Sequence, residues 1–571
     1  MESAPWLKHY DPEVPATLAP YPERTLVDYL GDAAKTGPDR DALLFKGSRI
    51  SYGALERLSD AFGAALVAQG IRKGDRVALL LPNCPQFLIA EFGAWKAGAM
   101  VAAINPLYTE HELEDSIKEC GVETAVVLTP FYRKLKALQP RTSLRRVIAT
   151  NIKEHLPLVL RLLFTLVKER KDGHHIRLQP GDLWFADLIR RHAGQPRPAV
   201  DIRYDDPALL LFTGGTTGTP KAAVGTHQAL VMAGLQCYTW FSSMLSKGGD
   251  ILMQLIPLFH VYGSCGVQTV ALVSGNALAL VPNPRDLDDV LHTIHKTQPT
   301  FVPGVPTLFI ALMDHPAVQK GKVDLTSVKL CISGAAPLLA ETKKRWESLT
   351  GGRIVEGYAL TESMMGAVVT PVKGLYKPGA VGIPLPDVQM KVVDPVSSGA
   401  PLPAGQVGEL LLKAPQLMIE YWHAPNATRD AIRNGWLYTG DLGYLDEDGY
   451  MFIVDRKKDV IKPSGFQVWP REVEEVIASH PAVMEVGVAG VSDAYQGEAV
   501  KAWVVLRAGA QATPEEIRDF CRGKLTGYKV PKYVEFRDSL PKSSVGKVLR
   551  RFLKEETPAR PGEPVARQND A

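Results

Sequence analysis

The run from Leu209 to Lys221 is the feature that most restricts the fold. Four apolar residues, Leu209 to Phe212, lead into Thr213, Gly214, Gly215, Thr216, Thr217, Gly218 and Thr219, and then Pro220 and Lys221. The apolar part reads as a buried strand. The glycines let the backbone adopt positive φ and come close to a ligand. Successive N–H groups and threonine hydroxyls in such a loop form a concave anion site, and Lys221 adds a positive charge. A polyphosphate suits it. Thr219 and Pro220 separate Gly218 from Lys221, so the spacing is not that of the Walker P-loop. The competing structural reading is a Gly/Thr surface turn.

The sequence before this loop alternates short apolar runs with amphipathic segments. Residues 76–81, 101–104 and 124–128 read as strands, and 86–97 and 109–120 as helices, the second with Thr109 and Glu112 spaced as a capping box. This alternation predicts an α/β domain with a largely parallel sheet, whose ligands sit at the carboxyl ends of the strands. Further strands are expected at 251–256, 277–281, 300–302 and 328–332. A boundary is expected at 455–459, after a turn at 446–449 and a strand at 450–454. Beyond it, helices at 470–480 and 514–525 and strands at 483–489 and 500–505 predict a small α+β unit. The expected organisation is a large N-terminal domain, 1–455, a small mobile C-terminal domain, 456–556, and a disordered tail, 557–571, rich in Pro, Arg and Gly.

Bulk properties exclude several classes. A net charge of +3 on 571 residues gives no nucleic-acid signature. The six cysteines are far apart, with no C-x-x-C pair, which argues against a zinc site or disulfide framework and for a reducing cytoplasm. Residues 1–30 carry five prolines and no apolar core, so no signal peptide is expected. Leu156 to Val167 is apolar except for Pro157, Arg161 and Thr165, and has Lys153, Lys168, Arg170 and Lys171 beside it. It is too short to span a bilayer. It reads as an interfacial helix touching a membrane or as a helix packed on the domain's own core, and the second is the expectation.

Other motifs carry chemistry. Ser333 to Pro337 places Gly334, Ala335 and Ala336 after a strand, where small side chains leave room for a flat ring; a plain strand-to-helix turn explains it equally well. Glu356 to Ser363 groups Gly357, Tyr358, Thr361 and Glu362: an aromatic to stack on a purine, a hydroxyl for a phosphate and a carboxylate for a hard cation. The alternative is a helix start capped by Thr361. Asp441 lies in what reads as a tight glycine turn, Tyr438 to Gly443, where aspartate is commonly structural. Residues 455–462 and 541–550 read by default as solvated charge.

Together, in this order and spacing, the motifs from about Tyr21 to Glu556 resemble those of the adenylate-forming enzymes, within them the bacterial long-chain fatty-acid–CoA ligases. The most specific local matches are residues 455–475 and 525–551. Gly215, Ala222 and Ala359 depart from the commonest family residues, serine, glycine and glycine. The resemblance implies ATP, Mg²⁺ and CoA: a fatty acid is activated to acyl-AMP and passed to the CoA thiol. It assigns the β,γ-phosphates to Thr213–Lys221, adenine to Gly334, Ala335, Ala336, Gly357 and Tyr358, and the α-phosphate to Thr361. Mg²⁺ falls to Thr213 and Glu362, ribose to Asp441 and Arg456, and the acyl wall to His260. The catalytic lysine maps to Lys547, the hinge to Lys458, and the thiol-transfer face to Lys462 and the residues up to Pro470. Small residues at 262–265 beside the acyl wall are expected to leave a channel for medium to long chains. A fatty-acid–AMP ligase feeding a carrier, a luciferase-like oxygenase and a catalytically silent lipid-binding protein are the alternatives. Oligomeric state stays open.

Overall fold

The computed structural model describes residues 4–213, 221–395, 399–493, 495–543 and 548–555. Gly214, Gly215, Thr216, Thr217, Gly218, Lys547 and the expected tail at 557–571 lie outside the described residues. The chain divides into two compact units. The first comprises Met1–Met390, Leu411–Thr439 and Asp446–Met451; the second comprises Lys391–Leu410, Gly440–Leu445 and everything from Phe452.

Two large sheets, mostly parallel, build the first unit, the α/β architecture expected. One has the strand order Glu420–Tyr421, Ala222–Thr226, Pro207–Phe212, Met100–Ala103, Arg76–Leu80, Thr124–Leu128, Arg146–Thr150, Leu183–Trp184. Leu209, Leu210 and Leu211 pair in parallel with Val101, Ala102 and Ala103, and all six are buried. A strand buried on both faces needs an unbroken apolar run, which is why 209–212 was legible. Antiparallel Ala222–Thr226 continues the sheet past the phosphate-loop strand. Helix Glu110–Cys120 starts at the expected capping box: the Thr109 hydroxyl accepts from Glu112 N–H at 3.2 Å, and the Glu112 carboxylate accepts from Thr109 N–H at 2.9 Å.

The second sheet runs Arg353–Tyr358, Leu330–Ser333, Phe301–Gly304, Ile251–Gln254, Ala277–Leu280, Asp41–Phe45 in parallel, with antiparallel strands at its margins. The sequence order reverses beside Ile251–Gln254, so its carboxyl end lies at a switch point, where α/β sheets bind ligands. All six cysteines are buried free thiols. Among the described residues, no helix is long and apolar enough to cross a membrane.

The expectation that residues 156–167 pack on the domain's own core is wrong. Helix Leu158–Leu163 continues as a π-helical turn, Phe164–Lys168, and its leucines face solvent. The physical reason lies on the other side. Asn151, Lys153, Glu169 and His174 form a polar cluster inside, with Lys153 Nζ 2.6 Å from Glu169 Oε2 and Asn151 Nδ2 3.1 Å from Glu169 Oε1. That cluster takes the inward position.

A three-stranded sheet, Val483–Asp493, Gly497–Leu506 and Tyr533–Phe536, organises the second unit. Val473 and Ile477 of helix Pro470–Ala478, and Ile517 and Cys521 of helix Pro514–Arg522, pack with Val488, Val500, Ala502 and Val504 in its core.

Candidate active site

The ends of the phosphate loop are joined by a backbone bond from Thr213 N–H to the Lys221 carbonyl, 2.9 Å. Phe212 pairs with Ala222 directly beyond it. Lys221 is exposed, its ammonium 5.4 Å from the centre of the Tyr421 ring. The Tyr421 hydroxyl donates to Glu362 Oε1 at 2.5 Å. Burial, reinforced by the Glu362 charge, pushes this phenol well above its ordinary pKa, so it stays a donor. Lysine, tyrosine and glutamate thus form one string beside the ends of the loop, with Glu362 Oε1 taking the tyrosine's hydrogen bond. Tyr421 was missed from the sequence. It lies on the two-residue strand Glu420–Tyr421, paired with Ala223 and Val224, and no local motif marks it.

Thr361 and Glu362 lie in a single 3₁₀ turn, Thr361–Ser363. Leu360 occupies the position before the turn, so Thr361 is not its cap. Ser363 Oγ instead closes the turn, accepting from Leu360 N–H at 3.0 Å and donating to Leu360 O at 2.9 Å. Met364 and Met365 follow with φ of 46° and 80°. Ala335, after strand Leu330–Ser333, has φ 66°. Left-handed non-glycine residues are strained, and such strain gathers at functional sites; sequence pattern gave no warning of it.

The adenine candidates come together. Ser333 pairs with Glu356 across neighbouring parallel strands, which sets Gly334 beside Gly357. A Cβ on Gly334 would lie 3.3 Å from the Tyr262 ring and 3.5 Å from the Gly357 carbonyl. Ala335 and Ala336 are exposed and Tyr358 is half-buried. The Tyr262 hydroxyl donates to the Ile332 carbonyl at 2.7 Å and accepts from Gly304 N–H at 3.2 Å, tying two strand ends together.

His260 is half-buried. Loss of solvent contact pushes its pKa down to about 4, so the ring is neutral at physiological pH. Its Nδ1 accepts from Tyr262 N–H at 3.2 Å, which leaves the proton on Nε2. The small residues that follow are closely packed at two points. Tyr262–Gln268 is a buried π-helical segment. A Cβ on Gly263 would lie 2.2 Å from the Pro257 carbonyl oxygen, and one on Gly266 would lie 2.9 Å from Met365 Cε. Gly263 serves close backbone approach, and Met365 fills the space beside Gly266.

In the second unit, Arg456 Nε lies 3.3 Å from Asp441 Oδ1, so the two ribose candidates are neighbours. The expected tight turn at Asp441 is absent: Trp436–Leu445 is one strand, and Gly440, at φ 69°, is a kink within it. Lys458 and Lys462 are exposed, and the Lys462 N–H donates to Glu498 Oε2 at 2.7 Å. Two runs read as solvated charge prove partly buried. Arg550 bridges Asp455 at 3.0 Å, Asp459 at 3.2 Å and Glu474 at 2.7 Å. Lys542 and Val548 form an antiparallel bridge on either side of residues 544–547.

These features describe an α/β unit and a smaller companion unit, and the comparisons give the class its name. Residues 30–422 match the AMP-binding enzyme family, and residues 472–547 match the AMP-binding enzyme C-terminal domain. The chain belongs to the AMP-binding enzyme family. It is 39% identical to a long-chain-fatty-acid–CoA ligase of Bacillus subtilis (strain 168), over 97% of this chain and 98% of that protein. It is 37% identical to one of Escherichia coli O6:H1, over 96% and 98%. Among solved structures it resembles the anthranilate CoA ligase AuaEII in complex with anthranoyl-AMP, with TM-score 0.81, 27% identity and coverage of 93% of this chain and 96% of that one. ATP-bound MatB from Rhodopseudomonas palustris superimposes with TM-score 0.79 at 30% identity, covering 93% and 98%.

Proposed function

We propose that this chain is an AMP-forming fatty-acid–CoA ligase acting on medium to long chains. The fatty carboxylate attacks the α-phosphorus of ATP, pyrophosphate leaves, and the CoA thiol then attacks the acyl-adenylate carbonyl and releases AMP. The observation that carries this reading is similarity to a long-chain-fatty-acid–CoA ligase over 97% of the chain, taking in both the phosphate-loop unit and the companion unit.

Chemistry of this kind needs positioning and charge neutralisation more than a protein nucleophile. Lys221 and the N–H groups of the loop hold the outer phosphates. Thr361 contacts the α-phosphate from the strained turn. Glu362, oriented by Tyr421, and Thr213 would hold Mg²⁺, a cation that takes one or two carboxylates together with substrate phosphates and would supply charge neutralisation at the leaving pyrophosphate. Gly334, Ala335, Ala336, Gly357 and Tyr358 receive the adenine, and Asp441 with Arg456 the ribose hydroxyls. Lys547 supplies positive charge to the carboxylate and α-phosphate in the first half-reaction. Rotation of a C-terminal domain, residues 456–556, about Lys458 then brings the Lys462 side to the thiol-transfer site. His260 contributes a neutral wall on the acyl side.

The test is a panel of carboxylic acids, short to long and aryl, assayed for CoA-dependent AMP release. Activity should rise with chain length, since each buried CH₂ contributes about 0.8 kcal/mol. A maximum at acetate or a cinnamate, with palmitate inert, would overturn the reading.

A further inference from the structure

We propose that the helical segment 158–168 lies in the plane of an anionic lipid bilayer and docks the protein on it. Every residue of the segment except the half-buried Phe164 is exposed. Leu158, Val159, Leu162, Leu163, Leu166 and Val167 are each more than half exposed, Leu158 at 78% and Leu166 at 82%. Isolated exposed leucines need no explanation, but a contiguous apolar patch marks an interaction surface.

The polar side holds this orientation. Thr165 Oγ1 accepts from Lys153 Nζ at 3.2 Å, and Lys153 pairs with Glu169. Asn151 Nδ2 reaches both Glu169 Oε1 and the His174 carbonyl. The Phe164 ring stands edge-on to His174 at 5.1 Å, and His174 Nδ1 meets Thr129 Oγ1 at 2.8 Å. Rolling the helix to hide its leucines would break the Lys153–Thr165 bond and the Phe164–His174 contact and bury Arg161 and Lys168, so the apolar face stays outward.

Charge selects the occupant. Arg161, Lys168, Arg170, Lys171 and Arg177 are exposed around the patch. The nearby acids are mostly engaged: Glu154 with Thr150 Oγ1 and Asn151 N–H, and Glu169 with Lys153. Asp172 alone faces solvent within residues 151–177. A basic rim around an apolar stripe complements anionic headgroups over acyl chains, and the long cations reach outward while their stems cover apolar surface. At about 16 Å the helix is too short to cross a ~30 Å core, so it lies flat.

Its position adds a consequence. The segment follows strand Arg146–Thr150, which runs parallel to the phosphate-loop strand Pro207–Phe212 in the same sheet, four strand steps away, or about 19 Å. Both leave the sheet at the same edge. A substrate that partitions into bilayers therefore meets the protein on the edge that carries the phosphate loop. This consequence rests on the fatty-acid reading; the lipid contact itself does not.

The test is flotation of the full-length protein with phosphatidylcholine vesicles, with and without phosphatidylglycerol, at low and high salt. The protein should float with the anionic vesicles, less so at high salt, and not with phosphatidylcholine alone. Leu162→Glu/Leu166→Glu and Lys168→Glu/Arg170→Glu/Lys171→Glu should each lower the partition by about tenfold or more, with unchanged thermal midpoints because every altered position is exposed. Failure of the wild type to bind anionic vesicles at low salt overturns the proposal, as does wild-type binding by both variants. A dimer that the leucine variant dissociates, in a protein indifferent to vesicles, would instead make the face a self-association surface and also overturn it. None of these failures alters the carboxylic-acid panel, so the two readings stand or fall separately.

Discussion

Tyr421→Phe removes one oxygen and tests the arrangement beside the ends of the loop. The hydroxyl donates to Glu362 Oε1 at 2.5 Å, and a hydrogen bond to a charged acceptor contributes about 1.5–3 kcal/mol. Glu362 is half-buried, so water recovers part of this in the variant, leaving about 1–2 kcal/mol, or a rate loss of roughly 5–30-fold if the bond orients Glu362 in the transition state. Phenylalanine keeps the ring under Lys221, whose ammonium lies 5.4 Å from its centre, so the phosphate loop keeps that support. Tyr421→Leu removes both and should cost a further ~0.5–1 kcal/mol. The assay separates the half-reactions: ATP–pyrophosphate exchange with palmitate reports adenylation, and thioester formation from pre-made palmitoyl-adenylate and CoA reports transfer. Adenylation should fall and transfer should change by less than about twofold. Unchanged adenylation refutes the orienting role of Tyr421, and equal losses in both steps would mean that the variant disturbs the fold.

Lys547→Ala should lower adenylation by about 10²–10³-fold while transfer from pre-made adenylate stays within about tenfold, read in the same two assays. Arg550→Ala leaves the carboxylates of Asp455 and Glu474 without their partner and should destabilise the second unit by about 3–5 kcal/mol, measured by urea unfolding. Glu91 is buried against Gln268, and desolvation lifts its pKa to about 8. Between the unfolded value near 4.5 and the folded value near 8, the native state binds the extra proton, so this group makes stability fall as pH rises, by about 1.4 kcal/mol per unit at most. Glu91→Gln should remove that decline between pH 6 and 8 in thermal melts. Gly263→Ala should cost about 1–3 kcal/mol by overpacking against the Pro257 carbonyl, lowering the melting temperature whatever acid is supplied.

What the sequence revealed was local. The buried strand at 209–212 and the capping box of Thr109 and Glu112 are written in consecutive residues and appeared where expected. Orientation was not legible: an apolar stripe at 156–167 says that one face is apolar, but the side that faces in was decided by Asn151, Glu169 and His174, whose bonds to one another form only in the folded chain. Asp441 was expected in a turn because Gly440 precedes it; the strand instead absorbs the positive φ as a kink. Tyr421 stands far from Glu362 in sequence, and only the pairing of strand Glu420–Tyr421 with Ala222–Thr226 brings it near. Gly263 looked like open space, because composition does not distinguish a glycine lining a channel from one under a carbonyl.

The Asp455–Arg550 contact constrains timing. Asp455 precedes Lys458, whereas Arg471 and Arg550 follow it, and Asp455 accepts from Arg471 N–H at 2.7 Å and pairs with Arg550 at 3.0 Å. Rotation about the pivot proposed at Lys458 would separate these partners. Arg550 does not become an orphan when that happens, since Asp459 and Glu474 lie on its own side of the pivot. Under that proposal the arginine is a latch with a permanent keeper: letting go of Asp455 costs the Arg550 pair and the Arg471 N–H bond, while the guanidinium remains neutralised. Under the proposed rotation, the dwell in this pose depends on what holds Asp455, and Asp455→Asn, which removes the charge but keeps an oxygen for the Arg471 and Arg456 N–H groups, should shorten it.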